Sequence, residues 1–567
     1  MAFSIIDGVL EQYQEEEGIT EIVVSDGVTE IGDRAFFNCR TLTRIHLPDS
    51  VRRIGAYAFA KCFFLTGMAI PNSVNDIGEG AFWGCSGLAE VTLPEGLSLI
   101  ASRTFADCMA LSTMTLPDSI TDIGDSAFAY CTGLSRITLP KGLTKIGKKA
   151  FLCCRSLSRL DISDSVTHIG QCAFELCERL MSVHLPERLT AIEANTFNGC
   201  QRLESIRIPD SVTSIGYRAF FTCERLTTVT IPASVTTIKS AVFERCHALT
   251  DIVVVPNHPV YTSIDGVLYN KGVTCLIACP PAKATVVLPD SVTDIMPRAF
   301  LGNSFLERIV LPNSVACMGR MAFYDCLRLS EVIMGSGLTV IEDSTFANCS
   351  RLQRVVIGTN VHTISKGAFF SCRYLEEVVI PSSARVIAER AFKNCDHLQN
   401  LSLPNGVQEV RFGAFIACTS RQSLMLPSSL VGFDCTIDTT AVDWNTVCVA
   451  DILSLVKSEE YAVRMDVVTK YSIAIQLFLQ YQRSSAAAFV KKNCSKILTW
   501  MIDQNDYEGV KSLFECGQLI SGRNIQKYLD YAIDHTQTHG DMQIQVYITN
   551  YKHTHFPDMN PFRSLRL

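Results

Sequence analysis

A phenylalanine returns every 23 residues along this chain. It sits at Phe36, Phe59, Phe82, Phe105, Phe128, Phe151, Phe174, Phe197, Phe220 and Phe243, and after a break at Phe300, Phe323, Phe346, Phe369, Phe392 and Phe415. A fixed period of this length marks a stack of supersecondary units, none of which can bury its apolar side alone. A stack offers a long surface and no enclosed pocket. Binding is therefore the default class of function, and catalysis would need residues of its own.

The bulk numbers narrow the class further. At 567 residues the chain exceeds what one compact core holds, so an elongated array or several domains are expected. A net charge of −7 argues against a nucleic-acid partner, which requires a basic patch or stripe. Mean hydropathy is +0.20, yet no run of about 18 apolar residues is present, so no membrane insertion is expected. The apolar excess belongs to a repeat interior. Met1-Ala2-Phe3-Ser4-Ile5-Ile6 carries neither a basic n-region nor a long apolar h-region, which predicts a cytoplasmic chain. The 24 cysteines are then expected to be reduced thiols, because disulfide frameworks belong to short secreted chains.

One unit shows the logic of the coil. Leu42-Thr43-Arg44-Ile45-His46-Leu47-Pro48 leads to Ser50-Val51, Ile54-Gly55 and Ala58-Phe59, and Cys62 closes the unit. Alternation over Ile45-His46-Leu47 predicts a short strand with Ile45 and Leu47 facing inward. Pro48 cannot donate a ladder hydrogen bond and ends it. The Gly-x-x-Ala-Phe stretch is expected to form a turn or short helix that drops Phe59 into the core, leaving one strand and one return path per coil.

This L-x-x-I-x-L-P-x-S-V-x-x-I-G-x-x-A-F-x-x-C pattern resembles the BspA-like bacterial leucine-rich repeat over roughly residues 19–430. The resemblance implies an α/β solenoid, a right-handed superhelix of about sixteen coils with a parallel β-sheet lining one face. It also makes adhesion to host matrix or cell-surface ligands, and hence a cell-surface location, an alternative. Ser163, Gly335 and Gly358 replace the strand-ending proline, Asn303 replaces the cysteine, and Arg421 replaces the leading leucine in the last coil.

Between Phe243 and Phe300 the chain carries 34 residues beyond one period. Ser263–Tyr269 and Val273–Ile277 flank Asn270-Lys271-Gly272 and predict a hairpin. Its Asp265-Gly266-Val267-Leu268 repeats Asp7-Gly8-Val9-Leu10, so one hairpin unit is expected to serve as both N-terminal cap and insertion. After about residue 433 the beat vanishes. Val449–Val456, Tyr471–Tyr481, Ala486–Ile502, Tyr507–Phe514 and Asn524–Ile533 then carry helical spacing, with stops at Gly517 and Gly540. The expected organisation is an N-terminal hairpin cap (1–30), a first repeat block (31–255), an inserted β-hairpin (256–287), a second block (288–432) and a C-terminal all-α domain (433–567).

Catalytic, cofactor and metal motifs are absent from the sequence. Fifteen cysteines fall three residues after a repeat phenylalanine. Stacked coils would place them roughly 4.8 Å apart with parallel Cβ vectors, wrong for a disulfide or a tetrahedral metal site. A buried thiol column is expected instead. No histidine sits in a recognisable catalytic motif, so an enzyme is not expected. An unrecognised enzymatic or regulatory activity in the helical tail is the second alternative.

The outward strand positions carry the functional information. Ten residues after each phenylalanine the column reads His46, Ala69, Thr92, Thr115, Thr138, Asp161, His184, Arg207 and Thr230, and then Val253, Val310, Ile333, Val356 and Val379. The face changes from polar to apolar. Beside it Arg308, Glu331, Arg354 and Glu377 alternate in sign. An exposed apolar stripe usually marks a contact surface. The expected function is a non-catalytic scaffold that binds a protein partner through the concave sheet face, with those nine residues as the candidate interaction surface.

Overall fold

The computed structural model describes residues 3–16, 18–398, 400–411, 413–415, 418, 423–425, 432–433, 471, 474–475, 478–479, 484–517, 519–539 and 542–556. The helical spacing at Val449–Val456, the stop at Gly540 and the change at Arg421 lie outside them. The chain divides into two compact units, Met1–Gly358 with Ser371–Arg373, and Thr359–Phe370 with Tyr374–Leu567.

The first unit is a parallel β-solenoid built from the expected coil. Each phenylalanine ring stacks on the next. From Phe36 to Phe243 neighbouring centroids lie 5.1–5.9 Å apart with planes within 14°. Phe300, Phe323 and Phe346 resume the stack. All are buried, together with the leucine that opens each coil and most of the apolar residues at the strand centres, such as Ile45, Met68 and Ile137.

Each coil holds two strands, not one strand and an unpaired return. The three-residue strands Glu21–Val23, Arg44–His46, Gly67–Ala69 and Glu90–Thr92 form one parallel sheet. The two-residue strands Glu30–Ile31, Arg53–Ile54 and Asp76–Ile77 form another on the return path. Ile45 faces inward and is buried, while Leu47 is half-buried beyond the strand end.

The Gly-x-x-Ala-Phe stretch is a turn throughout, never a helix. Residues two before and two after the phenylalanine have left-handed backbone, as at Arg34 and Asn38 (φ 58° and 61°) or Cys172 and Leu176 (φ 58° and 61°). A left-handed conformation costs a non-glycine residue about 1–2 kcal/mol. The stack offsets this with hydrogen bonds, because it aims those amides at the next coil. Arg34 N–H donates to Ala56 O at 2.9 Å, and Asn38 N–H to Ala60 O at 2.8 Å.

The N-terminal hairpin pairs Phe3–Ile6 with Val9–Tyr13 around Asp7-Gly8, where both residues have positive φ (50° and 82°). Asp-Gly suits such a turn because its twist matches that of the flanking strands. Val9–Tyr13 then pairs in parallel with Glu30–Ile31, and the Tyr13 ring covers the phenylalanine stack 5.3 Å from Phe36. This is the expected cap.

The insertion is more than a second copy of it. Asp265-Gly266 (φ 48° and 74°) makes the same turn, between Tyr261–Ile264 and Val267–Asn270. A further strand, Cys275–Ala278, follows the Asn270-Lys271-Gly272 turn and pairs antiparallel with Val267–Asn270. That extra strand, not the Val-Leu copy, pairs in parallel with Asp294–Ile295 and starts the next block.

The insertion also closes the first block with side chains. Tyr261 hydroxyl accepts from Ile238 N–H and donates to Thr236 O, both at 3.1 Å, on the last short strand. Buried His258 sits 3.1 Å from Pro232 O through Nε2 and accepts from the Val260 and Tyr261 amides at Nδ1. Because Nδ1 accepts twice, the ring is neutral with its proton on Nε2.

In the second unit the coil continues with Phe369, Phe392 and Phe415, whose successive rings lie 5.1 and 5.5 Å apart. Further along the chain come four helices, Ser484–Asp503, Tyr507–Glu515, Ile525–His539 and Gln543–His555. The first three match the helical spacing read at Ala486–Ile502, Tyr507–Phe514 and Asn524–Ile533. Of Tyr471–Tyr481 only Tyr471, Ala474, Ile475, Phe478 and Leu479 are described, all with helical backbone. Asp506 caps the Tyr507 helix by accepting from Gly509 N–H at 3.0 Å. Gly517 follows its end with φ 68°. Gln543–His555 escapes a reading by apolar period because it buries only Ile544 and Ile548.

Candidate functional site

The face of interest is carried by the three-residue strands, whose middle residue points inward and whose outer two point away. Arg308–Val310, Glu331–Ile333 and Arg354–Val356 pair in parallel with no register shift, so Val310, Ile333 and Val356 form one column. Arg308, Glu331 and Arg354 form the column beside it. Val310 is 46% exposed, and Ile333 and Val356 are half-buried.

The other two predicted apolar residues are Val253 and Val379. Val253 is exposed on Asp251–Val254, which pairs with Thr228–Ile231 on the far side of the insertion. Val379 and Glu377 lie on the strand Glu377–Val379 in the second unit, where Val379 is also exposed. Sequence counting missed Val23, 64% exposed on the first of these strands, because counting began at the first phenylalanine.

In the charged column a single carboxylate binds both arginines. Glu331 takes Arg308 Nε at 2.6 Å and Arg354 Nη1 at 2.9 Å, one on each carboxylate oxygen. The Arg354 and Arg308 hydrogen bonds hold its carboxyl below the usual range. Such exposed pairs add little to stability. Their greater effect is to leave the neighbouring apolar column without an unpaired carboxylate at its edge.

In the first block the same face is polar. Arg44 and His46 on one side and Glu90 and Thr92 on the other stand over Gly67 and Ala69. They enclose a cleft of about 590 Å³.

The cysteine column is buried, as its spacing predicts, and each thiol has a use the spacing does not show. Cys62 Sγ lies 3.1 Å from Phe36 O, Cys85 Sγ 3.0 Å from Phe59 O, and Cys131 Sγ 3.0 Å from Phe105 O. After Cys39, which instead reaches Glu15, the offset is 26 residues, one coil plus three. The thiol donates to the phenylalanine carbonyl of the preceding coil and so ties the two turns together. Burial pushes the thiols far up, as at Cys108, Cys154 and Cys177, so they are neither nucleophiles nor metal ligands at neutral pH. Among the described residues no group of three His, Cys, Asp or Glu side chains could hold a metal ion. No helix among them is long and apolar enough to cross a membrane.

Residues 11–135, 98–200, 171–271, 279–398 and 362–435 match the BspA type leucine rich repeat region, more than half of the chain. The chain belongs to the BspA-type leucine-rich repeat family. No curated protein sequence matches it.

Solved structures of other leucine-rich repeat proteins are similar to this one. A leucine rich cell surface protein of Faecalibacterium prausnitzii is 28% identical, covering 69% of this chain and 89% of its own, with a TM-score of 0.44. A leucine-rich repeat protein of Eubacterium ventriosum is 24% identical, covering 54% of this chain and 89% of its own, at 0.44. One of Bacteroides ovatus is 25% identical, covering 76% and 93%, at 0.40.

Proposed function

We propose that this leucine-rich repeat chain is a non-catalytic scaffold that binds a protein partner through the outward face of its three-residue strands, centred on Val310, Ile333 and Val356. The observation that carries this reading is their in-register column of exposed and half-buried apolar side chains, flanked by a charged column whose one carboxylate is held by both arginines. A protein that needed only soluble strands could place threonine here, as Thr92, Thr115 and Thr138 do in the first block. Covering valine and isoleucine gives a partner affinity through burial, at about 25 cal/mol per Å² of apolar area. Leucine-rich repeat proteins typically bind proteins, which fits a surface that has no enclosed reactive centre.

The test is affinity capture with the wild type beside a Val310→Glu, Val356→Glu double variant and a Thr115→Glu, Thr138→Glu control. Two carboxylates pressed into an apolar contact should reduce partner recovery at least tenfold, about 1.4 kcal/mol, while the control keeps it. Identical partner lists from the wild type and the valine variant would sink the assignment of this face.

A further inference from the structure

The stack changes character where the insertion enters it. In the first block three amides of each turn up to Phe220 donate to the following turn. In the last regular case Phe220 N–H donates to Val242 O at 3.1 Å and Thr222 N–H to Glu244 O at 3.0 Å. No such bond links the Ala241–Arg245 turn to the Met296–Gly302 turn among the described residues. The end of the Cys275–Ala278 strand intervenes, and Cys279 N–H takes Ala299 O at 2.7 Å. At this joint side chains do the work of the backbone ladder. Arg245 Nη2 pairs with Asp325 Oδ2 at 3.0 Å, and Ser304 Oγ meets His247 Nδ1 at 3.3 Å.

A cavity of about 50 Å³ lies at this joint, lined by Lys239, Ser240, Glu244, Ala278, Cys279 and Arg298 among others. It is large enough for water. Glu244 is 6% exposed, and neither carboxylate oxygen has a hydrogen-bond partner. Its nearest cation is Arg298, with Nη1 3.6 Å away and beyond hydrogen-bond reach. Arg218 on the preceding coil and Arg245 on its own turn add positive charge, and Arg245 is partly neutralised by Asp325. An ionised carboxylate here is desolvated and without a hydrogen bond, an arrangement proteins avoid unless the group can shed its charge.

We propose that Glu244 makes this joint a pH-responsive latch, closed while its carboxyl is protonated and loosened when it ionises. The neutral acid can stay in the cavity. The carboxylate must draw in water or pull Arg298 toward it, and either movement separates the Ala241–Arg245 turn from the Met296–Gly302 turn, where no ladder bond resists.

Burial raises the Glu244 carboxyl from 4.5 to about 7, against the opposing pull of Arg298, Arg218 and Arg245. The folded chain therefore holds more protons than the unfolded chain between those values. The stabilisation is complete below 4.5 and is lost as pH rises through about 7, the reverse of a salt-bridged carboxylate.

The experiment is hydrogen exchange at the Cys279 amide, corrected for its intrinsic pH dependence, together with thermal melts from pH 5.5 to 8.5. In the wild type, Cys279 exchange should accelerate by up to roughly tenfold per pH unit as pH rises toward about 7 and level off above it, and the melting temperature should fall over the same range. Glu244→Gln, which keeps the shape and cannot ionise, should flatten both profiles and melt higher than wild type at pH 8.5. Arg298→Met, which removes the nearest cation, should move both transitions to higher pH. A Glu244→Gln profile that follows the wild type, or exchange that accelerates equally at amides remote from the joint, would overturn the proposal.

Discussion

Phe220→Ala is expected to lower stability by about 3–5 kcal/mol, the cost of emptying a ring-sized volume in a core that cannot collapse around it. Phe220 is fully buried, with Phe197 stacked 5.7 Å away on one side and Phe243 5.9 Å away on the other. Both neighbours sit in turns tied to the Phe220 turn by backbone hydrogen bonds, Phe197 N–H to Ala219 O and Phe220 N–H to Val242 O, so neither ring can slide in to fill the gap. The damage should also be local, because each coil of a solenoid contacts only its neighbours. Denaturation followed by circular dichroism should show a lower midpoint. Proteolysis should begin near the three affected coils. A melt superimposed on that of wild type would mean that the phenylalanine register does not define the core.

The second large effect is expected at Asn303, the residue that interrupts the cysteine column. It is fully buried and fully satisfied. Nδ2 donates to Pro280 O at 3.1 Å and Lys283 O at 3.0 Å, and Oδ1 accepts from the Phe305 and Leu306 amides at 3.0 and 2.8 Å. The cause of the exchange is the insertion. A thiol at this position would need a phenylalanine carbonyl 26 residues earlier, and the chain there is Ile277 at the end of the inserted strand.

Asn303→Ala leaves two amides and two carbonyls without that partner and should cost on the order of 3 kcal/mol, since each buried unpaired group costs roughly 1–3. Asn303→Cys restores the residue found at fifteen equivalent positions, yet a thiol cannot accept from two amides while donating to two carbonyls. It should be nearly as destabilising as alanine. Urea denaturation of the three proteins decides the matter. A cysteine variant as stable as wild type would show that the asparagine bonds contribute nothing.

These two residues show what the sequence makes legible. Phe220 is readable because its environment is set by period alone: the same residue recurs at the same phase, and the phase fixes inside from outside. The thiol column is readable as buried for the same reason. Its bond to the preceding coil is not, since that depends on how coils are offset in space.

The second strand of each coil was missed because two residues such as Arg53-Ile54 carry no alternation to detect. The left-handed turn positions were also hidden. Arg, Tyr, Lys, Cys and Leu occupy them, and the ladder bonds of the stack override the usual preference for glycine or asparagine. At the insertion, Asn270-Lys271-Gly272 announced its turn and the strand after it, but the turn at Asp265-Gly266 fell inside a run that reads as one strand. Glu244 reads in sequence as an ordinary surface glutamate. Its burial follows from the inserted strand folding across it, which no local pattern encodes. The apolar column was read from phase, and Val310, Ile333 and Val356 stand on strands paired in direct succession.

The central claim is that the 23-residue beat sorts each coil into an inward and an outward side, and one coil tests it with native residues. Cys317 lies exposed on the short strand Cys317–Met318, while Cys326, nine residues on, is fully buried with its thiol 3.2 Å from Phe300 O. Burial drives the Cys326 thiol well above its ordinary value. Alkylation of the folded protein with iodoacetamide at pH 8, mapped by mass spectrometry, should modify Cys317 within minutes. Cys326 and the rest of the column should stay unmodified until denaturant is added. Labelling of Cys326 in the folded protein at a rate comparable to Cys317 would contradict the account.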